Sequence, residues 1–394
     1  KIKHISDKLP IIDDDEELWK TIRSHYTLKD DYINLESGYY NIIPNPILEH
    51  FINHVKHVNI EGSHYMRYEL KKNKDRVISE LAELVGSTQD QLGITRNATE
   101  SLDLIISGFP WKKGDEAIYA KQDYGTMKEM FEQVSDRYGT INKIVSVPNH
   151  PKNDQEIVSL YESQITSNTK LIMICHMINI TGQILPVKKI CKMAHSYGVE
   201  VMVDGAHCVG HFDFSIDEFN CDYYGSSLHK WLATPLGAGL LYINKNNTHK
   251  IWPLLANGNT NKNDIKRLNH IGTHPVHTDL AISNSIDYIK WIGMRKKEER
   301  MRFLQRYWSD KLRGFKNVIV NTPEDNHRSC GIANVGLTNM SPSDMAKTLF
   351  KKYKIFTVAI DYANVKGCRI SPNIFTTTKE LDHFIGAVKE MSIS

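Results

Sequence analysis

The chain has 394 residues, 41% of them hydrophobic and 24% charged. That is ordinary for a soluble globular protein and leaves room for roughly two or three domains around a sizeable core. The formal net charge of +3, from 49 basic and 46 acidic residues, gives no electrostatic footing for nucleic acid or a membrane surface.

The polar opening, residues 1–17, starts with Lys rather than Met and would suit a mature terminus after removal of a leader. Cytoplasm is the expected compartment, with export after leader removal as the alternative. No apolar run approaches the roughly 18 residues that cross a bilayer, and no repeat or low-complexity tract interrupts the chain. Thr95-Arg96-Asn97-Ala98-Thr99-Glu100 precedes an apolar helix marked by Leu102, Ile105 and Ile106. Asn97 reads as the helix cap, with Glu100 three residues on, and the free N–H groups of such a terminus bind phosphate. Asn97-Ala98-Thr99 also matches a glycosylation sequon, but a phosphate cup would leave no room for a glycan.

Through the middle, strands and helices alternate, which predicts an α/β layered domain with a mainly parallel sheet. The clearest unit spans residues 170–204. Leu171 to Cys175 is a strand-length apolar run. Val187, Ile190, Cys191, Ala194 and Tyr197 then recur at helical spacing, Gly198 stands at a helix C-terminus, and Val199 to Val203 is the next strand. This βαβ crossover puts Asp204 at the carboxyl end of its second strand, the edge where open α/β sheets bind ligands. A further short strand over 221–225 leads toward Lys230.

From about Ile292 the sequence turns to a charged helix over 295–311 and then alternates again. Ser341 caps a helix opened by Pro342. This part reads as a smaller α+β domain. The six Cys form no CxxC pair and are expected to be buried free thiols. His270, His274 and His277 do not make a metal site, because Gly272 and Pro275 break the helix that would align them.

The chemistry concentrates between Val201 and Leu240. Asp204 ends an apolar strand, and Lys230 follows 26 residues later in His229-Lys230-Trp231, ahead of Gly237-Ala238-Gly239. A lone Lys is usually a surface residue and an Asp-Gly pair is usually a turn. Together, an enclosed amine and a carboxylate suit a pyridine-ring aldehyde cofactor, the amine forming a Schiff base and the carboxylate keeping the ring nitrogen protonated.

Val203-Asp204-Gly205-Ala206-His207 and Ser226-Ser227-Leu228-His229-Lys230-Trp231 resemble the cofactor motifs of class V aminotransferases, pyridoxal-phosphate enzymes of fold type I. Within that group the sequence is similar to the isopenicillin N epimerase-like branch, from about Asn34 to the end. The resemblance implies a large three-layer domain with a mainly parallel sheet (residues 61–291) and a small α+β domain (292–394). The N-terminal segment (1–60) would pack with the small domain.

The resemblance also implies pyridoxal 5'-phosphate as cofactor, with Lys230, Asp204 and His207 as the catalytic set. His207 would lie near the ring oxygen or face. Ala98 and Thr99, beside Asn97, would cradle the phosphate, joined by Ser227 and His229. Tyr124 would stack on the ring, and Asn179 would face its phenolic oxygen. Thr273 would reach the phosphate of a second subunit, implying a homodimer with active sites at the interface. Arg369 would grip the α-carboxylate of an amino-acid substrate with its guanidinium fork, and Tyr40 and Asn41 would line the substrate pocket.

The expected activity is that of a class V aminotransferase. The alternatives are an amino-acid epimerase, a C–S or other β/γ-elimination lyase, and a non-catalytic cofactor or amino-acid binding protein. Cysteine desulfurases of this superfamily carry a nucleophilic Cys on a mobile loop before the matching Arg. Residues 358–367 hold no Cys, which counts against that chemistry.

Overall fold

The computed structural model describes residue 5, residues 9–10 and residues 15–393; most of the polar opening lies outside the described residues. The chain begins with helix α1 (Asp15–Ser24), strand β1 (Ile33–Asn34) and helices α2 (Asn45–Glu61) and α3 (Leu70–Val85). Alternation then sets in: β2 (Leu92–Thr95), α4 (Ala98–Gly108), β3 (Glu116–Ala120), α5 (Gly125–Tyr138), β4 (Ile141–Val145), α6 (Asp154–Glu162) and β5 (Thr169–Cys175). It continues through α7 (Val187–Ser196), β6 (Glu200–Asp204), α8 (Ile216–Phe219), β7 (Tyr223–Ser227) and β8 (Gly239–Ile243). The C-terminal part holds α9 (Val276–Ile292), α10 (Met294–Leu312), β9 (Val318–Val320), β10 (Ala333–Leu337) and α11 (Pro342–Tyr353). It closes with β11 (Ile355–Phe356), β12 (Val358–Tyr362), β13 (Val365–Ile370) and α12 (Thr378–Ile393).

Seven strands form one sheet in the order β2-β8-β7-β6-β5-β3-β4, with β8 antiparallel to both neighbours and the remaining pairs parallel. The central strands are apolar without alternation, because helices cover both faces. Along β5, Ile172 and Ile174 enter one core with Leu81 of α3, Ile190 of α7 and Ile286 of α9. Leu171 and Met173 point the other way, to Ile105 of α4 and Phe131 of α5. That gives the three layers of an α/β domain. A second sheet, β12-β13-β10-β9, is antiparallel throughout and packs its apolar face on Trp308 of α10 and Phe384 of α12.

The first 60 residues divide their contacts. Strand β1 adds in parallel to β11, with Ile33 opposite Ile355, and Leu35 joins the C-terminal core. Helix α2 instead lies on α9, where the buried His54 Nε2 meets Asn284 Oδ1 at 2.7 Å.

Strand β7 starts two residues later than the expected 221–225. Just before it, the Asp222 carboxylate accepts the Val201 N–H at 2.8 Å and the Asn247 amide. The Asp222 N–H itself bonds the Val201 carbonyl at 3.0 Å, and the strand runs on to Ser227.

Candidate active site

Strands β2, β5, β6 and β7 run the same way and end at one edge of the large sheet, on Thr95, Cys175, Asp204 and Ser227. A cavity of about 310 Å³ opens there, within the size range of small-molecule sites. Its lining includes Asn97, Ala98, Thr99, Tyr124, Asn179, Asp204, His207, Ser227, His229, Lys230, Tyr40 and Arg369. The sequence spreads these twelve residues over more than 300 positions; the topology gathers them.

Two glycines permit the close packing. A Cβ on Gly205 would lie 2.0 Å from the Tyr224 ring, and one on Gly239 would lie 2.6 Å from the Asn97 nitrogen. The first lets the chain turn directly after Asp204. The second lets β8 press against the start of α4.

The α4 terminus is built as its sequence indicates. Asn97 Oδ1 accepts the Glu100 N–H at 2.8 Å, and the Ala98 N–H donates to Ser227 Oγ at 2.9 Å. Glu100 reaches back to the Arg96 N–H at 2.7 Å, one residue before the capping position. The His229 Nδ1 atom is buried with no partner among the described residues.

Asp204 is buried and accepts the Ala206 N–H at 2.9 Å. Burial pushes its carboxyl up, opposed by that hydrogen bond and by Lys230. Burial pushes Lys230 down to about 8; Asp204 opposes the shift and Arg369 reinforces it. The Lys230 Nζ atom lies 3.0 Å from His207 Nε2. His207 is held well below its usual range by burial first and then by the nearby cations Lys230 and Arg369, so it is neutral. His229 is pushed down to about 4, by burial and by Lys230. The cavity therefore holds one amine that gives up its proton near neutral pH and two neutral imidazoles.

These groups fit the expected cofactor at both ends. A helix N-terminus with the Ser227 hydroxyl and an unsatisfied His229 nitrogen suits a phosphate. A buried carboxylate and an enclosed amine suit the pyridine nitrogen and the aldehyde.

Two expected site residues do not line this cavity, and of them Thr273 was expected to serve a second subunit's site. Asn41 is buried behind the cavity: its N–H donates to the His229 carbonyl at 3.3 Å, and its side chain is taken by Asn373. Thr273 is exposed, in the segment before α9, outside the cavity.

Sequence reasoning missed Glu36. Its carboxylate takes the Arg369 fork, with Nε to Oε2 at 3.1 Å and Nη2 to Oε1 at 2.6 Å. It also accepts the N–H groups of Gly38 and Tyr39. Arg369 Nη1 donates to the Asn179 carbonyl at 3.3 Å. No local signal links Glu36 to an arginine 333 positions away.

An aminotransferase class-V family model matches residues 43–384. Isopenicillin N epimerase of Streptomyces clavuligerus is 24% identical, covering 95% of this chain and 98% of its own. A probable cysteine desulfurase of Pyrococcus abyssi is 22% identical over 94% and 96%. Among solved structures, a cysteine desulfurase from Thermococcus onnurineus shares the fold with a TM-score of 0.84 at 19% identity, over 95% of this chain and 98% of that one. So does a cystine C-S lyase in complex with cysteine persulfide, with a TM-score of 0.81 at 18% identity over 91% and 97%.

Proposed function

This chain belongs to the aminotransferase class V family, and from that premise we propose that it transfers the amino group of an amino acid, with Lys230 anchoring pyridoxal phosphate and acting as the base at Cα. The observation that carries this reading is the Lys230 amine, pushed down to about 8 and enclosed with Asp204, His207 and Arg369 around one cavity. When bound, pyridoxal phosphate supplies an aldehyde that condenses with amines and a ring that takes up the electron pair left at Cα.

The residues divide the work. Asp204 would hold the ring nitrogen protonated, and the α4 terminus, Ser227 and His229 would hold the phosphate. Tyr124, 44% exposed at the cavity mouth, is free to cover a ring. Lys230 as free amine takes the Cα proton.

Arg369 carries five N–H groups. Glu36 engages two and the Asn179 carbonyl one, so two remain for a substrate carboxylate. The pair with Glu36 fixes the guanidinium plane before substrate arrives, which orients the bound amino acid.

Sulfur transfer through a protein thiol fits poorly. All six cysteines are buried, and burial pushes every one of their thiols up, away from the nucleophilic thiolate. Strands β12 and β13 also join through a tight hairpin, Tyr362 pairing with Val365, where a nucleophile loop would be needed.

Epimerisation is the second reading, favoured by the match over 98% of an epimerase. It needs a proton donor on the face opposite Lys230, whereas amino transfer needs one base.

We further propose a homodimer, in which the exposed Thr273 serves the partner's site, and a cytoplasmic setting, which suits six unpaired thiols. Among the described residues, no helix is long and apolar enough to cross a membrane.

Proton NMR of the loaded protein with L-amino acids in deuterated water tests the activity. Oxo acid that stops at one equivalent of the protein and goes on only with an added acceptor supports amino transfer. Loss of the Cα proton with appearance of the D-isomer selects epimerisation, and oxo acid accumulating well beyond one equivalent of protein without an acceptor selects elimination. No exchange with any amino acid contradicts the base role of Lys230.

A further inference from the structure

We propose that Trp231 is a positioning residue that fixes the tautomer of His207, so that this imidazole donates a hydrogen bond to the Lys230 amine rather than accepting one from it. The inference rests on the reading of Lys230 as the reactive amine.

Trp231 is fully buried, and an indole N–H can only donate. The acceptor it meets is His207 Nδ1, at 3.4 Å. A neutral imidazole has one N–H and one lone pair. With the lone pair on Nδ1 engaged, the proton sits on Nε2, the nitrogen 3.0 Å from Lys230 Nζ. An ammonium has no lone pair to accept that proton, so this bond forms only with the free amine.

Trp231 is itself held at its ring and at its backbone. The His211 ring stacks on it, with centroids 3.9 Å apart and planes 18° from parallel. The Gly331 N–H donates to His211 Nε2 at 2.8 Å, which puts the His211 proton on Nδ1, where it is donated to the His207 carbonyl at 2.8 Å. Lys297 Nζ donates to the Trp231 carbonyl at 2.6 Å. Two forced tautomers thus run in series from Gly331, just before β10, to Lys230.

Other groups around the amine act on its charge. Asp204, at the end of β6, and Glu36, after β1, favour the ammonium. Arg369 of β13 disfavours it, and Cys208 is a protonated thiol. His229 beside it is neutral. Among these neighbours, His207 is the one whose influence reverses with its tautomer.

Solid-state 15N NMR of the full-length, cofactor-free chain labelled at histidine reads the tautomer directly, the His207 signals being identified by their loss in His207→Gln. The expected result is a protonated Nε2 and a bare Nδ1; a proton on Nδ1 overturns the proposal. Trp231→Phe keeps the stacked ring and removes the N–H. In that variant the pH midpoint for acylation of Lys230, followed by mass spectrometry of its peptide, is expected to rise by about one unit. An unchanged midpoint also overturns the proposal. Neither readout depends on catalysis, so they stand apart from a failure of Lys230 to carry the cofactor.

Discussion

Burial pushes two lysine amines down among the described residues, Lys297 to about 7 and Lys230 to about 8, and Lys230 is the one that lines the cavity at the end of the sheet. Two outcomes follow at this residue. Lys230→Ala is expected to lower turnover by ~10²-fold or more and to abolish the covalent hold on pyridoxal phosphate, read as loss of cofactor on gel filtration in the absence of any amino acid. In the wild-type protein, kcat is expected to rise with pH around about 8, because the free amine is the working form and burial lowers the pH at which it appears. A pH-rate profile of kcat checks this; a flat profile from pH 6 to 10 would contradict it. Glu36 is the other decisive residue. Its side chain and that of Arg369 are only 4% and 6% exposed, and removing one partner leaves a buried charge. Glu36→Ala is therefore expected to cost ~3–5 kcal/mol in denaturant unfolding, more than any exposed ion pair of the chain would.

At the scale of elements, the site depends on where strands stop and helix α4 begins. Asn97→Ala removes the cap seen at Glu100 and is expected to cost ~1 kcal/mol of stability. It should also weaken pyridoxal-phosphate binding in a fluorescence titration, since the same turn presents the N–H groups. The loop after β5 makes a second dependence. Gly182 has φ +74°, and a Cβ there would sit 1.9 Å from the Ile332 carbonyl oxygen. Gly182→Ala is expected to destabilise by at least ~1 kcal/mol and to raise KM, because Asn179 in that loop meets Arg369.

What the sequence revealed follows from range. The Asn97 cap, the Ser341 cap and the Asp204 strand end each depend on a few neighbouring residues, and each was legible. The start of β7 at Tyr223 follows from pairing with β6 and β8, which no local spacing encodes. Glu36 and Arg369 meet only after β1 adds beside β11, so no spacing could pair them. Asn41 carries a polar side chain in the right segment, yet Asn373 claims it.

For the whole molecule, the large, mainly parallel sheet and the C-terminal sheet each carry their own packing, and the cavity draws its lining from both. The large part supplies Asp204, Lys230 and the phosphate cup; the C-terminal part supplies Arg369. On the proposed reading each half holds part of the chemistry, and a substrate would be recognised and deprotonated only where both face the same space. The Gly331–His211–Trp231–His207 series runs between the two parts, and it links the packing of the C-terminal part to the charge on Lys230.

The most direct test of this account is borohydride reduction of the pyridoxal-phosphate-loaded protein, followed by peptide mapping with mass spectrometry. The expected result is a pyridoxyl group on the peptide containing Lys230 and on no other lysine peptide. A label on a different lysine, or none after loading is verified, would contradict the assignment of Lys230 as the anchoring amine.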